Sequence, residues 1–431
     1  MKRRVPPTSR QDRVARGQER CTGRPHGKDA SRTPAGDDHG SGGTSTAAGA
    51  LLCRLLSLLL AVVAVGCGDD GVATDRTPDA SVVDGGLDAA TDGAVTDDGA
   101  PPIADAADGA PTMDATAPDD ADSGPADPQP EGHWAPAAPV VPGAIQEVAV
   151  VAVNDEIYVL GGFDSLGRIV PTVSVYAPAT DTWRRAADLP APMHHANAAA
   201  LDGKIYVLGS LKQDFEEDGR GYVYDPGTDA WSDGPAMPPG TARGASGVAV
   251  LGNEVVLVGG LGGRRAVSLV SAYDVVDETW RQLPDLPQPP RDHMAVGTID
   301  GQVVVAGGRD GRIGRHVPDV NIYDPMAGQW REGAPMPTSR GGAAGAECGG
   351  SLYVIGGEGN IATGTGVFNQ VEAYRLAQDR WDTLPNMLTP RHGTDAAAID
   401  GWLYVPGGAI VQAFGATETH ERMRCGEMPG G

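Results

Sequence analysis

Six tryptophans, Trp134, Trp183, Trp231, Trp280, Trp330 and Trp381, recur at steps of 49, 48, 49, 50 and 51 residues. A period of this size means that one supersecondary unit is stacked on copies of itself, because a lone unit cannot bury its own apolar face. Within each period a small-residue run leads into a turn such as Asp300-Gly301. An apolar run ending in a glycine pair follows, then a variable loop, a Tyr-containing run and the Trp. The apolar runs are IYVLGG (157–162), IYVLGS (205–210), VVLVGG (255–260), VVVAGG (303–308), LYVIGG (352–357) and LYVPGG (403–408). Short β-branched and aromatic runs bounded by Gly, Asp, Asn and Pro predict repeated antiparallel strands.

Tyr176, Tyr224, Tyr273, Tyr323 and Tyr374 each precede a Trp by seven residues. They belong on the third strand of each unit and the Trp on the fourth, with both rings filling the wedge between units. Trp134 opens the series with only a fourth-strand signature, while the last unit (394–425) has three strands and no terminal Trp. The N-terminal strand is therefore expected to complete the C-terminal unit, closing a ring of six with no open edge.

Period, glycine pair, Tyr and Trp together resemble the kelch repeat, and the resemblance covers the whole of 132–425. It implies an all-β fold, a six-bladed kelch-type β-propeller closed by an N-terminal strand. Three positions depart from the pattern: Ser210 replaces a second glycine, and Ala177 and Arg375 replace the common Asp after Tyr.

The remaining sequence divides in two. Residues 1–66 read as a basic leader and signal peptide. Ten Lys/Arg stand against five Asp/Glu in 1–50, followed by the apolar run LLCRLLSLLLAVVAVG. Its uninterrupted part is too short to span a bilayer as a helix and fits a secretory signal. Ala64-Val65-Gly66-Cys67 resembles the lipobox of bacterial lipoproteins, which implies lipidation at Cys67 and a destination in the bacterial cell envelope. Residues 67–131 are Asp- and Ala-rich; sixteen Asp and one Arg lie within 68–130 with no aromatic residue. High like charge and low hydrophobicity predict a disordered, self-repelling tether. The Asp runs lack the Gly turn and bidentate Glu of a calcium loop. The propeller segment from 131 carries 21 Lys/Arg against 36 Asp/Glu, a net charge of −15. That charge argues against nucleic acid as a partner.

Function is expected on the face that carries the loops between second and third strands, where 164–171, 211–221, 309–319 and 358–369 are long and polar. Sixteen residues before each glycine pair stand Ile145, Met193, Arg243, Arg291, Arg340 and Arg391. Two readings of this register are open. The four arginines line the channel mouth and take a carboxylate through their bidentate forks, or they tie the scaffold together by bonding carbonyls. His195 and His293 fall two positions further on, with His194 and His392 close by, and Glu358 is a loop acid nearby. Without a carboxylate or Cys ligand at a recognisable spacing no metal is assigned. No nucleophile elbow, phosphate loop or HExxH is present, and no cofactor is expected. Cys348 and Cys425 are either a disulfide or two buried thiols. The function expected is that of a membrane-tethered binding module, a monomer taking a protein or glycan ligand. The alternative is an enzyme resembling the periplasmic kelch mutarotases of N-acetylneuraminate.

Overall fold

The computed structural model describes residues 129–426, which form six four-stranded antiparallel sheets. The leader, Cys67 and all of the tether before residue 129 lie outside the described residues. No helix among those described is long and apolar enough to cross a membrane. Blade one consists of Ala149–Val153, Glu156–Leu160, Val173–Ala177 and Thr182–Arg185, in chain order from the axis outward. Four further blades repeat that order. In blade six, Ala397–Ile399, Trp402–Pro406 and His420–Arg424 are completed by Trp134–Pro136, with Trp134 opposite Met423. The all-β, six-bladed propeller closed by an N-terminal strand is thus the observed fold.

Buried apolar residues from facing sheets interleave between adjacent blades, as in the cluster that joins Tyr158, Val175 and Leu189 to Val207 and Tyr224. Polar groups add a repeating seam. The indole N–H groups of Trp183, Trp231, Trp330, Trp381 and Trp134 donate to carbonyls of the preceding blade, at Ala138, Ala187, Pro284, Ala334 and Pro385. Tyr176, Tyr224 and Tyr374 donate to Asp181, Asp229 and Asp379, whose carboxylates also accept backbone N–H groups of the blade before. Each aromatic therefore supplies buried area and a directed bond at once.

The glycine pairs end the second strands because both residues adopt left-handed backbone: φ is +63° and +95° at Gly161 and Gly162. A Cβ at Gly161 would lie 2.5 Å from the Met193 carbonyl of the next blade. Ser210 shows the converse. Where serine replaces the second glycine, the strand does not break but runs on through Lys204–Leu211 and pairs with Glu217–Asp225. Most of the expected loop 211–221 is accordingly an extended hairpin around a short 3-10 turn at Gln213–Phe215. Cys348, at the end of the first strand of blade five, forms a disulfide with Cys425 beside the third strand of blade six.

Candidate functional site

Fourteen residues before the first glycine of each pair (Gly209 alone in blade two) the chain passes nearest the axis. The six positions are Glu147, His195, Ala245, His293, Gly342 and Gly393. All have left-handed φ, between 50° and 65°. Each N–H donates to the carbonyl of the preceding position: His195 to Glu147, Ala245 to His195, His293 to Ala245, Gly342 to His293, Gly393 to Gly342 and Glu147 to Gly393. Six main-chain bonds thereby close a ring around the axis. Four non-glycine residues tolerate a backbone that costs each of them energy because every neighbour fixes it.

The ring brings Glu147, His195 and His293 together, with one ligand atom of each lying within 4.8 Å of the others. Glu147 Oε2 stands 3.0 Å from His195 Nε2. Below them lies a cavity of about 90 Å³, lined also by Ala149, Val248 and Asp395. One residue outward, Asp292 is fully buried and bonded to His293 Nδ1 at 2.5 Å. Arg309, the first residue after its glycine pair, donates through Nε to Asp292 at 2.9 Å and through Nη1 to Glu358. Its Nη2 lies 3.1 Å from His293 Nε2. Glu358 is the equivalent residue of the next blade. His392 is 1 % exposed, with Nδ1 at 3.6 Å from Glu358 and 3.8 Å from Glu147.

At Glu147, Asp292, Glu358, His293 and Arg309 burial is the largest single influence and opposes the charged form. It pulls the Glu147 carboxyl upward, yet the surrounding histidines, His195 first, outweigh it and hold the group well below its ordinary range. Asp292 and Glu358 are likewise lowered against their burial, the first by His293 and Arg309 and the second by Arg309. Burial lowers His293, with Arg309 adding to the effect, and takes His194 to about 3. Among these groups, three carboxylates thus face one permanent cation.

The four arginines of the sequence register lie elsewhere. Arg243, Arg291, Arg340 and Arg391 are at most 1 % exposed. Arg340 donates to the carbonyls of Gly356, Thr338 and Val354 and to Glu372; Arg391 donates to Thr389, Val405 and Glu421. Arg243 bonds Gly259, Thr241, Leu257 and Ser271, and Arg291 bonds Gly307, Asp319 and Asn321. Burial lowers both of the latter to about 10. Of the two readings the register left open, the scaffold one holds and the candidate carboxylate grip does not: each guanidinium is turned into its own blade, tying the incoming loop to the second and third strands. Glu358, His195, His293 and His392 do converge near the axis. Glu147, Asp292 and Arg309 were missed, although Glu147 stands at the same offset from its glycine pair as both ring histidines.

Above the cluster the loops turn apolar. Phe163 packs on His194 with ring centroids 4.3 Å apart, and Phe215 and Phe414 lie 6.4 and 6.0 Å from Phe163.

A KLHDC2/KLHL20/DRC7 Kelch-repeats domain matches residues 147–336, and a Kelch motif matches 339–388. Kelch-like protein terF of Aspergillus terreus is 38% identical over 290 residues, 64% of this chain and 62% of its own length. Kelch-like protein 35 of Mus musculus is 34% identical over 41% of this chain and 29% of its own. The chain therefore spans less than two thirds of the relatives it matches. The solved structure of YjhT superposes with a TM-score of 0.55 at 17% identity, covering 65% of this chain and 95% of that one, a likeness of fold. The matched repeats span the first five blades and the sixth repeats their architecture: the chain is a kelch-repeat β-propeller.

Proposed function

We propose that this propeller is a binding module held at a bacterial cell envelope through lipid on Cys67, with a protein ligand docking on the face of the loops between second and third strands. One observation carries the reading. Leu166, Phe215, Ile313, Ile361, Ile410, Val411 and Phe414, seven large apolar side chains from 40% to 100% exposed, all sit in those loops of five blades. Apolar groups collected on one face of a soluble scaffold mark a contact surface, and aromatic anchors around a polar centre are what protein interfaces use. A glycan is less well served by isoleucine and valine.

Photo-crosslinking residues placed at Leu166 and Ile361 test this against the same residues at Val276 and Met326, in the turns between third and fourth strands. Discrete adducts in intact cells from the first pair alone are expected. Adducts from both pairs alike, or from neither, would overturn the docking face.

The acidic-sugar mutarotase reading loses its carboxylate grip with the four arginines, and retains only the Glu147–His195 pair as acid and base. Proton NMR of anomer exchange in N-acetylneuraminate, with Glu147→Gln as control, distinguishes it from simple binding.

A further inference from the structure

We propose that Glu147, His195 and His293 form a binding site for a divalent transition metal ion of the zinc class at the propeller axis. The argument begins with where each imidazole sends its proton. His194 Nε2 lies 3.0 Å from the Lys212 carbonyl, so that nitrogen carries the hydrogen and Nδ1 is bare. His195 Nδ1 stands 2.5 Å from that bare nitrogen and must donate to it, so that His195 Nε2 meets the Glu147 carboxylate at 3.0 Å with a proton or a metal ion between them. His293 gives its Nδ1 hydrogen to Asp292, leaving Nε2 bare. His392 gives its Nε2 hydrogen to the Val411 carbonyl, and its buried Nδ1 has no hydrogen-bond partner while facing Glu147 and Glu358.

Nitrogens of His195, His293 and His392, from three blades, thus gather around the Glu147 carboxylate, that of His293 taken by Arg309 Nη2 and that of His392 without a partner, and such a buried set of donor atoms suits a cation among them. Metal-ligating histidines are held in just this way, the far nitrogen donating to a carboxylate, a carbonyl or another acceptor. Charge points the same way: Glu147, Asp292 and Glu358 outnumber Arg309, and unbalanced buried charge is costly. Two imidazoles and a carboxylate, with His392 Nδ1 within reach as a fourth donor, suit zinc-class ions better than Ca²⁺ or Mg²⁺, which take oxygen ligands. The 3.0 Å between Glu147 Oε2 and His195 Nε2 already suits two ligands of one ion. For His293 to join them, Arg309 Nη2 must give up its contact with Nε2 and remain on Asp292 and Glu358.

The test is isothermal titration of the chelator-stripped full-length protein with Zn²⁺, beside Glu147→Gln, His195→Ala and Asp292→Asn. One ion per chain is expected, with affinity reduced tenfold or more in the first two variants. Asp292→Asn, which acts only by orienting His293, should weaken binding by about 10–100-fold at unchanged stoichiometry. Where a variant fails to fold, the wild-type protein decides through Zn²⁺-dependent melting: a rise with Zn²⁺ that Mg²⁺ does not reproduce supports the site. Sub-stoichiometric uptake, unchanged affinity in the folded ligand variants, or a melting temperature indifferent to Zn²⁺ would overturn it and leave a proton as the bridging cation.

Discussion

A guanidinium taken out of water must find its hydrogen bonds elsewhere, and four arginines find theirs on the carbonyls of their own blade. Arg340 and Arg391 each add a buried carboxylate, Glu372 and Glu421. Arg340→Ala strands Glu372 and is expected to cost about 3–5 kcal/mol, read as a lower urea midpoint at unchanged slope. Asp395 is a second residue with a measurable signature. Its carboxyl accepts the N–H groups of Gly345 and Ala396, both at 2.9 Å, while burial raises it to about 6. A carboxyl raised on folding contributes stability below its unfolded pKa and loses it as pH rises through the folded one. Stability should therefore fall between about pH 4 and pH 6 by roughly 3 kcal/mol, at about 1.4 kcal/mol per pKa unit. Asp395→Asn keeps the acceptor, so its melting temperature should exceed the wild type at pH 7.5 and converge with it near pH 4. Glu147, His195 and His293 line the same cavity, so the comparison belongs in metal-free buffer. At this scale the sequence was partly legible. A register of arginines was visible, but its direction was not, since a fully buried Arg and a pocket-lining Arg leave the same letter. The acidic partner of two of them stood two residues before the third-strand Tyr in VEAY, and at the matching position in HERM.

Among the elements, the strand Trp134–Pro136 stands alone in being borrowed from the far end of the chain. It pairs with His420–Arg424, and just ahead of it Glu131 is ion-paired with Arg375 and accepts a hydrogen bond from Tyr353, 2.6 Å away, so that it binds blade five as well as blade six. Removing residues up to 137 exposes the His420–Arg424 edge, and such edges seek partners. The truncated chain should elute in size-exclusion chromatography as larger assemblies than the intact chain. The disulfide ties blades five and six at the same seam over a sequence separation of 77, its Cys425 being the neighbour of Gly426, whose N–H donates to Tyr353. Paired Cys348→Ser and Cys425→Ser should lower stability by about 4 kcal/mol on the chain-entropy estimate, and dithiothreitol should reproduce that loss in the wild type. The borrowed strand was legible because a Trp without its three preceding strands has one place to go. The lengthened hairpin of blade two was not read, although its cause, Ser210, was noted as a departure: the consequence depends on backbone φ, which glycine alone makes cheap.

On the scale of the whole molecule, blade number and closure followed from counting repeats, whereas the axial trio Glu147, His195 and His293 arises from residues 48 to 146 positions apart that no local pattern links. Attachment to the envelope is testable independently of any ligand. Cys67→Ala should shift the protein from the membrane to the soluble fraction and abolish labelling by palmitate, with the propeller's melting curve unchanged.

The hydrogen-bonded ring gives closure to the main chain and thereby leaves the side chains at its six positions without a structural duty. They form a short alphabet, written here as Glu, His, Ala, His, Gly, Gly, at the one point where every blade can contribute a letter. Two of those letters are blank, and they are not equivalent. A Cβ at Gly393 would fall 2.7 Å from the Glu147 carboxylate, whereas at Gly342 the nearest atom is 3.5 Å away, on Glu358. Gly342 is thus where a further donor can be inscribed, and chemistry at the centre of this fold can be rewritten one letter at a time while the frame around it stays unedited.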